Sequence, residues 1–306
     1  MESILITGAN GQLGNALQNI CRNDNPYFFH FTDIQELDIC DKGELNDFVK
    51  ARNVRLIVNC AAYTAVDRAE DEPDLCFKIN RDAVRNIGEV AAENGAKVIH
   101  ISTDYVFDGQ GNHPYREDDS TAPQSVYGHS KLEGENALLS ACKDSIIIRT
   151  AWLYSETGNN FVKTMLRLGA ERDSIGVVND QQGTPTYAGD LAKAIQTIWQ
   201  SVNFIPGIYH YTNEGVCTWY DFAVKIFELS GLPCLVKPLQ TAEYPTKAKR
   251  PAYSVLDKTK IRETYSIHIP EWEESLDFVV QSLKFKVQSL PSPPGGSLRF
   301  KVQSLP

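Results

Sequence analysis

No apolar run in the 306 residues approaches the roughly 18 that suggest a membrane helix. No CxxC pair occurs among the seven cysteines, which are odd in number and scattered. That pattern argues against a disulfide framework or a zinc site and for a reducing, cytoplasmic setting. Positive charge is in short supply: 30 lysines and arginines face 39 aspartates and glutamates, a net charge of −9. Nucleic acid is therefore not an expected partner. An anionic small ligand would need local donors, from helix N-termini or from a short basic cluster such as KAKR at 247–250. The opening MESILITGAN has no basic segment ahead of a long apolar stretch, so no signal peptide is expected.

What is present is an ordinary globular composition, 42% hydrophobic and 23% charged. The length suits two domains, or one large domain with an appended lobe. Short β-branched runs at 3–8, 27–32, 56–61, 97–102 and 145–150 read as strands. Helical periodicity lies between them, as at 74–94, where Pro73 suits a helix start and Gly95 its stop. Near-continuous apolar strands separated by helices predict a doubly wound α/β fold around a parallel sheet. Residues 1–150 read as a Rossmann-like dinucleotide-binding domain, to which later segments such as 186–202 return.

After residue 150 the rhythm loosens. A helix over 159–171 precedes VVNDQQGTPTYAGD, and another runs from Asp190 to about Ser201. Beyond 203 short strands and helices mix, with GIYHYT first among them, so 151–284 reads mainly as a smaller α+β substrate-binding lobe. SLKFKVQSLP at 282–291 recurs as SLRFKVQSLP at 297–306 around an SPPGG spacer. Two copies are too few for a solenoid. Residues 285–306 are expected to form a flexible tail dispensable for chemistry, with a partner-binding peptide as the alternative.

TGANGQLG, from Thr7 to Gly14, stands where the first strand should turn into the first helix. Gly8 avoids a Cβ clash at the turn, Gly11 lets a pyrophosphate approach the backbone, and Gly14 permits close helix packing. The helix N-terminus adds free N–H groups and a partial positive charge. The spacing is GxxGxxG rather than GxGxxG, and its position directly after a strand is what makes it a cofactor loop. Asp33 follows the second strand, where a carboxylate can bind the adenosine ribose; a turn or cap aspartate is the structural alternative. No arginine follows it to receive a 2′-phosphate, so NADH is favoured, with NADPH kept open. Asp38 and Ile39 are candidates to flank the adenine.

Tyr127 and Lys131, four apart in VYGHSK, share a face if the segment is helical. A lysine ammonium beside a phenol lowers its pKa, and a drop of about three units would correspond to roughly 4 kcal/mol. That would tune a tyrosine for proton transfer near neutral pH. His129 reads as a solvated helix residue and His100 as a packed one.

TGANGQLG, NCAAYTAVDRAE, STDYVF, VYGHSK and RTAWLY occur in this order, and GNNFVKTMLRLG, VNDQQGTPT and RPAYSVLD follow. Together they resemble the extended short-chain dehydrogenase/reductases, and within them the dTDP-4-dehydrorhamnose reductase family, over roughly residues 1–284. The resemblance implies a catalytic triad of Thr103, Tyr127 and Lys131 that reduces the C4 ketone of a dTDP-deoxysugar. It implies Gly11, Gln12 and Leu13 at the dinucleotide phosphates, Asp33, Asp38 and Ile39 near the adenosine, and Ala62, Tyr63 and Thr64 near its middle. Asp104 and Trp152 would contact the sugar, although Asp104 also suits a turn cap and Trp152 a core position.

Related sugar-nucleotide dehydratases carry an acidic pair after the threonine, because eliminating water needs both an acid and a base. This chain has Tyr105 in the glutamate's place, which favours reduction. Some family members dimerise around a metal held by glutamates; here Asn15 and Gly189 stand at two of those positions, so no structural metal is expected and monomer or homodimer stays open. The alternatives are another nucleotide-sugar ketoreductase or epimerase, or a non-catalytic subunit similar to a regulator of methionine adenosyltransferase.

Overall fold

The computed structural model describes residues 2–21 and 26–288. Its first half alternates β1 (Ser3–Thr7), α1 (Gln12–Cys21), β2 (Phe28–Thr32), α2 (Lys42–Ala51) and β3 (Val54–Asn59). Two short helices follow, α3 (Val66–Ala69) and α4 (Pro73–Phe77), then α5 (Ala83–Asn94), β4 (Lys97–Thr103), α6 (Val126–Ala141) and β5 (Ser145–Thr150). The inner strands β1, β3, β4 and β5 are apolar on both sides because both faces are covered. Ile4, Ile6, Val58, Ile99 and Ile148 pack on one side, and Leu5, Ile57, Val98 and Ile147 on the other. All pairings within the sheet are parallel, as helical crossovers require.

The second half adds β6 (Leu153–Tyr154), α7 (Phe161–Glu171), β7 (Ser174–Val178), β8 (Gln182–Gly183), β9 (Thr186–Tyr187) and α8 (Ala188–Gln200). Then come β10 (Gly207–His210), β11 (Cys217–Thr218), α9 (Trp219–Ser230), β12 (Leu235–Leu239), α10 (Thr259–Tyr265) and α11 (Trp272–Gln288). Here α7, α9 and α11 gather around Val162, Phe222, Ile226 and Leu276 to form the smaller α+β lobe. Within the repeated segment, helix α11 runs on through Gln288, and 289–306 lie outside the described residues.

The sheet order is β10-β5-β4-β3-β1-β2. GIYHYT, expected in the lobe, instead supplies β10, a sixth strand paired parallel with β5. Tyr209 and His210 are buried there, so the sheet edge gains cover that the lobe would not have given. The other departure is local. The helix expected over 74–94 is interrupted by a π-helical turn at Lys78–Asp82. The turn brings Asn80 inward, where its amide accepts from Tyr63 N at 2.9 Å and donates to Tyr63 O at 3.1 Å. Strand order reverses between β1 and β3, and ligands bind such sheets beyond the carboxyl ends of strands at that point.

Candidate active site

At the carboxyl end of β1 the chain enters the glycine loop. Gly8 has φ +64°, and a Cβ there would lie 2.6 Å from Ala61 N. A Cβ on Gly14 would lie 2.4 Å from Gly8 O, so helix α1 can start this close to the strand only with glycine at that position. The loop opens onto a cleft of about 820 Å³. Gly14→Ala is expected to cost about 1–3 kcal/mol of stability through overpacking and to weaken dinucleotide binding as the loop shifts. Urea unfolding and NADH fluorescence titration check both.

Asp33 stands on the same cleft with its carboxylate already aimed: Asn10 N donates to Oδ2 at 3.0 Å and Ile34 N to Oδ1 at 2.8 Å. Asp38 and Ile39 line this end, and Gly11, Gln12 and Leu13 the centre. Ala62 and Thr64 form the facing wall. Tyr63 differs: its phenol donates to Glu72 at 2.8 Å and does not line the cleft. A narrow loop that admits no Cβ, a helix N-terminus beyond it and a fixed carboxylate after β2 together fit a nicotinamide dinucleotide.

At the other end lie Thr103, Asp104, Tyr127 and Lys131. Thr103 ends β4 and its hydroxyl donates to Asp104 Oδ1 at 2.8 Å. Asp104 Oδ2 is buried and has no hydrogen-bond partner. Burial raises the Asp104 carboxyl to about 6. An orphaned carboxylate oxygen on a cleft wall is an acceptor suited to a ligand hydroxyl.

Helix α6 begins at Ser125, whose hydroxyl caps Gly128 N at 3.1 Å. Tyr127 and Lys131 then point into the cleft from adjacent turns. The Tyr127 ring meets Tyr105 edge-on at 5.5 Å, and a Cβ on Gly128 would lie 2.3 Å from Tyr105 O. The expected lowering of the phenol is not what these surroundings produce. Burial pushes Tyr127 above its usual value, although Thr103 acts the other way. Lys131 does not offset this, because its Nζ is turned to Ile101 O at 2.7 Å and His100 Nε2 at 3.3 Å. Burial lowers Lys131 to about 8. Tyr127 therefore holds its proton at neutral pH, the state a proton donor needs.

Trp152 sits at the cleft with φ 49°, a strained conformation for a bulky residue. Trp219 stacks behind it at 3.6 Å with the planes 13° apart, and a Cβ on Gly183 would lie 2.7 Å from its ring. The indole is held rigidly between Trp219 and Gly183, partly buried against the lobe core and with part of its surface on the cleft.

The family described as the RmlD substrate binding domain matches residues 1–285. The chain belongs to that family. The dTDP-4-dehydrorhamnose reductase of Aggregatibacter actinomycetemcomitans is 44% identical over 287 residues, covering 90% of this chain and 97% of the relative. The crystal structure of a dTDP-4-dehydrorhamnose reductase from Clostridium acetobutylicum superposes with a TM-score of 0.89 at 45% identity, over 92% of this chain and 99% of that one. One from Bacillus anthracis, solved in complex with NADP, gives 0.87 at 41%, again over 92% and 99%. RmlD-family membership makes the chain an NAD(P)H-dependent oxidoreductase of dTDP-sugar biosynthesis.

Several residues at this RmlD-family site were not singled out from the sequence. Trp219 and Gly183 set the Trp152 platform, and Asn80 pins the loop that carries Ala62 and Thr64. Arg250, flagged only as part of the KAKR cluster, donates to the Tyr105 hydroxyl at 2.9 Å and pairs with Asp67, which ties the lobe to the wall beside Tyr127. The rest of the KAKR cluster is likewise engaged: Lys247 pairs with Asp71 and Lys249 donates to Gln124. Asn15 spends its amide on the carbonyls of Asn10 and Gly11, both at 2.9 Å. Among the described residues no three His, Cys, Asp or Glu side chains converge as a metal cage would, and no helix is long and apolar enough to cross a membrane. His129 is exposed.

Proposed function

We propose that the protein reduces the C4 ketone of dTDP-4-dehydro-β-L-rhamnose to give dTDP-β-L-rhamnose, an activated sugar for cell-surface polysaccharides. The observation that carries this reading is a buried Tyr127 beside Thr103, in the same cleft as the glycine loop. When bound, the dinucleotide supplies a hydride to C4. Tyr127 gives its phenolic proton to the C4 oxygen, and the Thr103 hydroxyl, whose one proton would turn from Asp104 Oδ1 to that oxygen, polarises the carbonyl. Lys131, one helical turn from Tyr127 in the same cleft, would hold the nicotinamide ribose. Asp104 Oδ2 accepts from a sugar hydroxyl, and the Trp152 face carries the deoxysugar ring.

In this reading residues 1–150, with 186–202, hold the dinucleotide, and 151–284 mainly hold the nucleotide sugar. Asp33 favours NADH, since its carboxylate suits ribose hydroxyls and repels a 2′-phosphate. Asp33→Ser is expected to weaken NADH about tenfold, the worth of a charged hydrogen bond, and to narrow the gap to NADPH. Titration with both cofactors checks it.

Loss of NADH absorbance with dTDP-4-dehydrorhamnose, and dTDP-rhamnose identified by NMR, would support the reaction. Cofactor binding without turnover, while another 4-keto sugar nucleotide is reduced, would move the assignment to that sugar.

A further inference from the structure

Beneath the cleft runs a chain of buried hydrogen bonds whose direction is set from one end. Ala61 N and the Thr7 hydroxyl both reach the same side-chain atom of Asn59, at 3.2 and 2.7 Å. A backbone N–H can only donate, so that atom is the amide oxygen. The amide nitrogen therefore faces His100 Nδ1, at 3.0 Å. An NH₂ group has no acceptor to offer, so Nδ1 must present its lone pair. His100 is fully buried, and burial with the nearby lysine keeps its pKa well below normal, so the ring stays neutral. A neutral imidazole carries one proton, which is then on Nε2.

Nε2 lies 3.3 Å from Lys131 Nζ, and Nζ also meets Ile101 O at 2.7 Å. An ammonium has three donors and no acceptor, whereas an amine has a lone pair for Nε2–H. We propose that His100 is a positioning residue for Lys131: by aiming Nε2–H at Nζ, it weakens the hold of Lys131 on its third proton.

Other groups face Nζ as well. Glu135, on the same helix, favours the ammonium but is engaged by Arg149. Cys76 from α4 and Cys60 after β3 are the other neighbours, and burial raises both thiols, so neither carries a charge at neutral pH. Burial of Nζ acts in the same direction as His100. The relay thus couples the floor of the glycine loop, through Thr7 and Asn59, to the lysine that faces the substrate end.

The test is ¹⁵N NMR of the whole protein, with the His100 ring assigned by its loss in His100→Gln. Nε2 is expected to carry the proton and Nδ1 to lack one, from about pH 6 to about pH 9. Asn59→Asp replaces the NH₂ donor by a carboxylate oxygen, so Nδ1 should become the protonated nitrogen and Nε2 an acceptor for the ammonium. In His100→Gln the amide oxygen can accept from Nζ without adding charge. Lys131 should then titrate about one pH unit higher than in the unsubstituted protein. A proton on Nδ1 in the unsubstituted protein would overturn the proposal. So would a Lys131 titration unmoved in both variants. These measurements need no substrate. A matching upward shift of the alkaline limb of kcat rests on the reductase reading, so its absence beside shifted NMR titrations would count against that reading alone.

Discussion

Tyr127→Phe is expected to lower kcat by about 10²–10⁴-fold, the contribution of a positioned proton donor, while leaving NADH affinity within a factor of two or so. The ring belongs to a small apolar cluster with Ala69 and Cys76, which phenylalanine fills equally well. The lost oxygen faces the cleft, so its removal strands no buried partner. The glycine loop and Asp33, at the far end of the cleft, keep their geometry. Stopped-flow turnover and a separate NADH titration distinguish a lost proton donor from a lost cofactor site. A variant that still turns over at close to the original rate would remove Tyr127 from the chemistry. The raised phenol adds a sign: the donor form is present across the neutral range, so the Tyr127 proton should not set the acid limb of the pH profile. Asp104 is the nearby group that changes state around pH 6, and its ionised form is the one that leaves Oδ2 free to accept while Oδ1 takes the Thr103 hydroxyl.

The parts of this site that sequence revealed are those attached to strand ends. Strands buried on both faces read as apolar runs, and the residues at or shortly after their ends, Gly8, Asp33, Ala62 and Thr103, inherit their position from the sheet. Tyr127 and Lys131 were legible through helical spacing, which fixes a shared face. Spacing says nothing of what the face meets, however. The expectation that Lys131 would lower the phenol failed because the direction of Nζ is decided by Ile101 O and His100, thirty residues away on another element. Trp152 was ambiguous for the same reason, since its stacking partner Trp219 arrives from the lobe. Arg250 reaches Asp67 across 183 positions, a pairing with no local signature. β10 was misplaced because a four-residue strand after a break in rhythm carries no sign of which sheet it joins.

Arg149→Met is expected to cost about 3–5 kcal/mol at neutral pH, the penalty for breaking a buried ion pair from one side. Arg149, near the end of β5, donates from Nη2 to Glu135 Oε2 at 2.7 Å and from Nε to Oε1 at 3.0 Å. Ser102 Oγ completes the cage at 2.5 Å from Oε1. Both charged side chains are almost wholly buried, at 3% and 1% exposure, so water does not replace the guanidinium when it is removed. Glu135 lies one turn beyond Lys131 on α6, and the pair fastens that helix to β4 and β5 beside Thr103. The deficit should depend on pH in a defined sense. The stranded carboxyl favours a proton in the folded variant more than in the unfolded chain. Its penalty is therefore smallest in mild acid and grows as pH rises. Urea unfolding at about pH 5 and about pH 8 reads this directly. Pairing Arg149→Met with Glu135→Leu should recover most of the loss, since no charge is left unpaired. Recovery of stability without recovery of turnover would mean that the pair serves the catalytic face of α6 and not the fold alone. If the single variant were as stable as the parent, the carboxylate would have to reach another cation, and Lys131 is the one within its field.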